Sequence, residues 1–320
     1  MGLCGSSKVA VVVPPEEKNK DALITQELKE DHAKDSRVYK VLLLGPGESG
    51  KSTVFKQMVM NYGSGFKTED RTIVRGSVLR GLVSGVSQLL KESPGIGDAD
   101  AVVGGSLSSE VALLRDSDTA LDRLTPEMVA ALKKLAEDSS FRKLLTYKSK
   151  FHIPESLDYF LGRLNSLAQT DYIPTDEDMV RVRIRTTGMM IENFSMGKDE
   201  FQIMDVGGQR SERKKWLSAF DGVTAILFIA AASEYDQVVW EDEKTNRMDE
   251  ALNVFQQILD NPTFASTPIV LFLNKADLFE KKVKNVSLSV CFPDWDKSKD
   301  GDIDAAWNFL ESKFNDRNLV

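Results

Sequence analysis

Residues 42–55, LLLGPGESGKSTVF, place the tightest constraint on what this chain can fold into. An apolar run of strand type breaks into a glycine-rich turn, and then come a lysine, two hydroxyls and a helical pattern. The octet Gly45–Ser52 fits G-x-x-x-x-G-K-[ST], which chance supplies in roughly one chain per hundred of this length. Glycines let the backbone curl so that successive N–H groups point into one concavity at the positive end of a helix. The amides of Glu48, Ser49, Gly50, Lys51, Ser52 and Thr53 would then cradle the α- and β-phosphates. Lys51 would bridge the β- and γ-phosphates, and the Ser52 hydroxyl would ligate Mg²⁺. Such a turn implies a nucleoside triphosphate.

The flanking pattern gives the architecture. YKVLLLG (39–45) reads as a buried parallel strand, and the helix opened by Lys51 runs to Gly63. From about 66 to 180 apolar residues recur three and four apart, as in VLRGLVSGVSQLLK (78–91), PEMVAALKKLAED (126–138) and ESLDYFLGRLNSLA (155–168). That spacing predicts an all-helical block, with SPGIGDADAVVGGSLSS (93–109) as a mobile loop of small residues. Strand signals return in EFQIMDVGG (200–208), VTAILFIAAAS (223–233) and TPIVLFLNKAD (267–277), with a helical stretch at 246–260. Alternating strand and helix implies a parallel sheet covered on both faces, with ligands at the carboxyl ends of its strands. The expected fold is therefore α/β, a parallel-sheet domain at 39–65 and 181–320 with a helical domain inserted at 66–180. The last helix, Asp302 to Asn315, places Ile303, Trp307, Leu310 and Phe314 on one face for packing on the sheet.

Two further segments bear on the ligand. FLNKAD puts Asn274, Lys275 and Asp277 at the end of an apolar strand. A carboxylate there accepts two hydrogen bonds from N1–H and the exocyclic amine of guanine. Adenine would leave Asp277 buried and unpaired, at a cost of about 1–3 kcal/mol or more. Asn274 would brace the neighbouring loops, and the Lys275 stem would lie over the base. DVGGQ supplies the sensor of the third phosphate: Asp205 holds Mg²⁺ through water, and the amides of Gly207 and Gly208 reach the γ-phosphate because no Cβ intervenes.

Composition sets outer bounds. The 320 residues carry a formal net charge of −8, which argues against a nucleic-acid binder. The two cysteines, Cys4 and Cys291, are too few and too far apart for a disulfide framework, which suggests a reducing compartment. Cys291 and the histidines His32 and His152 carry no catalytic signal. The start MGLCGSS matches the Gly2 acylation pattern: Gly2 would carry a myristoyl chain and Cys4 a palmitoyl chain, a pair giving stable membrane anchoring where one chain would not. Residues 16–38 are highly charged with a sparse apolar stripe, and read equally as a partner-facing helix or a solvated arm.

Taken together, GPGESGKST, RVRIRTTG, DVGGQRSERKKW and FLNKADLFEKK closely resemble the α subunits of heterotrimeric G proteins, and the resemblance runs from MGLCGSS to the end of the chain. It implies a Ras-like P-loop GTPase domain with the helical insertion, a lipidated N-terminal arm over 1–38, and a GTP-hydrolysing switch. Such a switch would couple a G protein-coupled receptor to effectors and bind the Gβγ dimer, at the cytoplasmic face of the plasma membrane. Residue by residue, the resemblance makes Arg183 the arginine that stabilises charge on the γ-phosphoryl group. Thr186 becomes the second hydroxyl on Mg²⁺, and Gln209 the residue that orients the attacking water. It pairs Glu48 with an arginine of the first switch, adds Ser156, Val180 and Arg181 to the nucleotide contacts, and makes QRSERKKW a helix whose basic residues and Trp216 change partners with nucleotide state. Arg181 and Arg185 read as surface charges or braces rather than catalysts.

The chain departs from the family at two places. Pro46 replaces the usual alanine and removes one amide, upstream of those expected to hold phosphate. The segment also stops before the family's last strand, its loop over the guanine and its final helix. That supports an alternative expectation, a non-cycling α subunit acting as a βγ- or membrane-binding module. An ATP-dependent P-loop enzyme is disfavoured by Asn274, Lys275 and Asp277.

Overall fold

The computed structural model describes residues 38–117, 123–151, 153–220 and 222–319. Gly2, Cys4, the arm up to residue 37, His32 and His152 lie outside the described residues. The sheet is built on β1 (Val38–Leu44), whose Leu42, Leu43 and Leu44 have no exposed surface. Its neighbours follow from the apolar runs after residue 185. The hairpin of β2 (Met189–Met196) and β3 (Asp199–Val206) is followed by β4 (Ala225–Ala231) and β5 (Ile269–Asn274), in the order β2-β3-β1-β4-β5. β1 is parallel to β3 and β4, and β4 is parallel to β5.

One strand departs from the expected parallel sheet. β2 pairs antiparallel with β3 through a two-residue turn at Gly197–Lys198, with Met196 opposite Asp199 and Gly197 at φ 68°. The sequence reading does not pick β2 out, because of its side chains only Phe194 is buried. An edge strand facing solvent lacks the apolar run of a buried parallel strand.

Helices cover the sheet unequally. α1 (Lys51–Tyr62) lays Phe55 and Val59 on one face, against Leu43, Ile203 and Ile229. Between α1 and β2 the chain makes α2 (Thr68–Glu92), α3 (Ser108–Arg115), α4 (Pro126–Glu137), α5 (Ser139–Leu145), α6 (Leu157–Leu161), α7 (Leu164–Leu167) and α8 (Asp176–Arg181). These helices have their own core, seeded by Leu79, Leu82, Val86 and Leu89 along one side of α2. Local signals start them: Pro126 opens α4 behind Thr125, whose hydroxyl accepts from the Met128 amide at 3.3 Å. The 155–168 pattern splits at Gly162 and Arg163 into α6 and α7. The 93–109 segment, expected to be mobile, is tied down. It makes three single 3₁₀ turns, Ser93 donates to the Ala101 carbonyl at 2.8 Å, and Tyr147 donates to Asp98 at 2.6 Å.

The second sheet face is covered by α9 (Arg247–Leu259), α10 (Ala276–Val283) and α11 (Ile303–Asn315). Asp302 caps α11 by accepting from the Ala305 amide at 3.0 Å, and Phe314 packs against Phe228 and Phe255 at ring separations of 6.5 and 5.5 Å. Leu310 and Phe314 are fully buried, while Ile303 and Trp307 are only partly so. The loops that leave the carboxyl ends of β1, β3, β4 and β5 therefore emerge along one edge, facing α8 and the 148–158 segment of the helical block.

Candidate functional site

Along that edge lies a cavity of about 910 Å³. Of the residues read from the sequence, Glu48, Gly50, Lys51, Ser52, Thr53, Ser156, Val180, Arg181, Arg183, Thr186, Gly208, Gln209, Lys275 and Asp277 line it. Ser49, Asp205, Gly207 and Asn274 lie behind its wall.

The turn after β1 has the backbone its glycines demand. Gly50 caps α1 in the left-handed region at φ 101°, and a Cβ there would fall 2.1 Å from Asn274 Nδ2. That approach is used: Asn274 donates to the Ser49 carbonyl at 2.9 Å, so the end of β5 braces the turn. Glu48 is also left-handed, at φ 66°, a conformation that costs a non-glycine residue about 1–2 kcal/mol. Its carboxylate supplies the reason, since Arg183 and Arg247 each bond one of its oxygens, the latter at 2.8 Å. Lys51 is buried and donates to the carbonyls of Gly45 at 3.0 Å and Pro46 at 2.8 Å, and burial pushes its ammonium down to about 8.

Next to the turn three oxygens converge. Ser52 Oγ and Thr186 Oγ1 are 2.7 Å apart, and Thr186 donates to Asp205 Oδ2 at 3.3 Å. Asp205 is fully buried, its Oδ1 has no partner, and burial raises its pKa. A buried carboxylate oxygen without a donor is costly unless something else meets it. Two hydroxyls and one carboxylate form a hard oxygen set that suits Mg²⁺ when a nucleotide's phosphates and water complete the shell. Among the described residues no group of three or more His, Cys, Asp and Glu side chains offers a metal site of another kind.

The segment from Val182 to Thr186 crosses the cavity and is pinned on both sides. Lys56, from α1, donates to the Val182 carbonyl at 2.9 Å, and burial pushes this lysine too down to about 8. Arg181 belongs to the helical side, paired with Glu177 at 2.9 Å and stacked 4.5 Å from the centre of the Tyr159 ring. After β3, Gly208 packs so closely that a Cβ would fall 2.1 Å from Lys51 Nζ. Gln209 follows it and lies over Gly47. The Arg213–Ala219 stretch forms a 3₁₀ helix, with Trp216 buried and donating to the Gly207 carbonyl at 2.7 Å. Arg210 grips Glu250 of α9 with two bonds, at 3.0 and 2.8 Å, and Arg213 reaches the same carboxylate at 2.6 Å.

At the β5 end Lys275 is left-handed, at φ 62°, and its stem lines the cavity while its ammonium pairs with Glu234 at 2.5 Å. Asp277 differs from expectation. It stands exposed on the lip of the cavity, because it sits on the outer side of the first turn of α10. The penalty against adenine thus depends on the base itself covering this carboxylate.

Sequence reasoning missed the ions beneath the cavity. Glu234, 6% exposed, takes Lys275 on one oxygen and Arg247 on the other at 3.3 Å, and Arg247 continues to Glu48. A chain of alternating charges thus runs Lys275–Glu234–Arg247–Glu48–Arg183. A sequence signal for it was present but weak: an arginine at the first position of α9, where the helix dipole disfavours a cation, needs a carboxylate nearby.

The G-protein alpha subunit family model matches residues 18–319. Curated relatives agree with it. A guanine nucleotide-binding protein G(o) subunit alpha of Lymnaea stagnalis is 42% identical over 276 residues, which is 85% of this chain and 77% of the relative. The subunits of the same name from Locusta migratoria and Caenorhabditis elegans are 40% and 39% identical, each over 92% of this chain and 83% of the relative.

Proposed function

This chain belongs to the G-protein α subunit family and is a guanine-nucleotide-binding GTPase, and from that premise we propose how its cavity performs the reaction. The amides of residues 48–53 hold the α- and β-phosphates at the amino end of α1, with the Lys51 ammonium turning from the Gly45 and Pro46 carbonyls toward the phosphates. Asp277 accepts from the guanine edge while the Lys275 stem covers the base. Ser52 and Thr186, backed by Asp205, would hold Mg²⁺, which would offset phosphate charge. Gln209 holds the attacking water in line with the γ-phosphorus. Arg183 donates to the oxygens that gain charge as the bond to the leaving diphosphate breaks. Freed of the γ-phosphate, the 182–187 and 207–219 segments lose shared contacts, which is the switch.

The observation that carries this reading is the unpartnered Asp205 Oδ1 beside the paired Ser52 and Thr186 hydroxyls, with Arg183 and Gln209 on the same cavity. Single-turnover hydrolysis tests it. Gln209→Leu should keep GTP binding and slow hydrolysis by orders of magnitude, because its group acts mainly in the transition state. A rate within twofold of the parent would remove the assignment.

We extend the proposal to partners and place. The Gβγ dimer and a G protein-coupled receptor are the partners of this switch, and Gly2 and Cys4 carry the acyl chains that hold it at the cytoplasmic face of the plasma membrane. The Gly2 motif supports the anchor. Gly2→Ala should shift the protein from the membrane fraction to the soluble one, and an unchanged distribution would refute it.

A further inference from the structure

Trp240 serves no core and belongs to no motif. It lies in the Val238–Thr245 turn between β4 and α9, is 39% exposed, and has its ring 4.1 Å from the guanidinium carbon of Arg185. The turn beneath it is rigid. Val239 donates to the Thr245 carbonyl at 2.8 Å, and Glu243 donates back to the Val239 carbonyl at 2.9 Å while held left-handed at φ 53°. Asp242 accepts from the Lys244 and Thr245 amides at 2.9 and 2.8 Å, from the Thr245 hydroxyl at 2.6 Å and from Arg210 at 2.7 Å. Arg247 fixes the turn's start by donating to the Val238 carbonyl at 2.9 Å. The ring is therefore a fixed platform, and what it carries is the first switch. Arg185 stands two residues after Arg183 and one before Thr186.

We propose that Trp240 is a positioning residue for GTP hydrolysis: by stacking on Arg185 it holds the 182–187 segment in the register that presents Arg183 to the γ-phosphoryl group and Thr186 to the cation. Besides the Thr186 hydroxyl's bonds to Ser52 and Asp205, three anchors then hold that segment on different walls. Lys56 takes the Val182 carbonyl, Glu48 takes Arg183, and Trp240 takes Arg185. The first two are ion-dipole and ion-pair contacts that phosphate charge can disturb. The stack is electrostatic as well, and it adds a hold from a ring fixed by the turn beneath it. This rests on the reading of Arg183 given above.

The test is single-turnover hydrolysis by the full chain preloaded with GTP, with GTP affinity measured alongside. Trp240→Ala and Arg185→Gln should each slow hydrolysis by about three- to tenfold, the range expected for losing a partly exposed cation–π contact that acts on the transition state. GTP affinity should change by less than about twofold. Trp240→Phe, which keeps an aromatic face, should recover a rate within about twofold of the parent. The double variant should be no slower than either single one, because both remove the same contact. Parent-like hydrolysis by Trp240→Ala, a slow Trp240→Phe, or a double variant whose losses multiply would each overturn the proposal. An Arg183→Cys control separates the two readings. If it too hydrolyses at the parent rate, the role of Arg183 falls. If it is slow while Trp240→Ala is not, only the stack's role falls.

Discussion

Two aspartates, both wholly buried, show how differently the helical block and the GTPase sheet use a carboxylate. Asp178, in α8, has each oxygen filled: Oδ1 accepts from Tyr159 at 3.0 Å and Arg163 at 2.7 Å, Oδ2 from Tyr172 at 3.0 Å and from the Thr175 amide and hydroxyl at 2.8 and 3.0 Å. Asp205, at the end of β3, accepts from Thr186 at 3.3 Å, has the Ser52 hydroxyl beside it, and keeps an Oδ1 with no partner. The first carboxylate is satisfied by the chain itself and fastens α6, α8 and the 172–175 turn together. The second is left incomplete by the chain and faces the elements that form the cavity. Buried charge that is fully met makes structure, and buried charge that is partly met marks the place where a ligand enters the fold.

The sharpest way to break this contrast is to remove one group from each side. Arg183→Cys, on the cavity that Asp205 backs, should slow single-turnover hydrolysis by about 10³-fold, some 4 kcal/mol of transition-state stabilisation, with little change in melting temperature. Asp178→Ala should do the reverse. Loss of five donors' acceptor, one of them Arg163, should lower stability by about 3 kcal/mol and leave the hydrolysis rate of the folded fraction near the parent's. Thermal unfolding and hydrolysis measured on both variants decide the matter, and equal melting temperatures would undo the comparison. Asp205→Asn should act more weakly on stability and in the opposite direction. Burial raises the folded pKa of Asp205, so the folded state binds its proton more tightly than the unfolded one, and ionised Asp205 disfavours folding at neutral pH. The variant should therefore melt higher than the nucleotide-free parent at pH 7. Its advantage should shrink as pH falls through the folded pKa toward the ordinary carboxylate range, where both states are protonated. Mg²⁺ with a non-hydrolysable GTP analogue should stabilise the parent more than the variant.

The two carboxylates also differ in how far the sequence announces them. Asp205 is legible because its neighbours are local: an apolar strand before it, and Gly207, Gly208 and Gln209 after it. The turn of residues 45–52 and the Asn274–Asp277 run are legible for the same reason, each a few residues at a strand end whose spacing is set by one ligand. Asp178 sits in TDEDM among other acids and reads as a solvated helix start. Its role depends on Arg163 and Tyr159, brought back by the break at Gly162. Glu234 and Arg247 are hidden likewise, since Glu48 lies 199 residues from Arg247 in sequence. The strand β2 was missed because an exposed edge needs no apolar run. Local periodicity reports what packs against a helix or strand face. It carries no information on which distant ions meet.

Glycine offers the smallest test of the same contrast. Gly81 lies inside α2, on an exposed position, and a Cβ added there would meet nothing within 4 Å. It costs the helix backbone entropy with no compensating close approach, so Gly81→Ala should raise stability by about 0.5–1 kcal/mol. Hydrolysis should not change, because the residue touches neither switch. At Gly208 an added Cβ would fall 2.1 Å from Lys51 Nζ and 2.7 Å from the Gly45 and Pro46 carbonyls. The lysine end can swing away, but the two carbonyls belong to the turn proposed to hold phosphate and cannot move without opening it. Gly208→Ala should therefore leave the helical core intact and shift the 207–219 segment off the 45–52 turn, lowering hydrolysis while GDP binding survives. Paired thermal melts and GDP titrations read both substitutions. Were Gly81→Ala to lower the melting temperature, or Gly208→Ala to hydrolyse GTP as the parent does, glycine would not divide between the two regions as the two aspartates do.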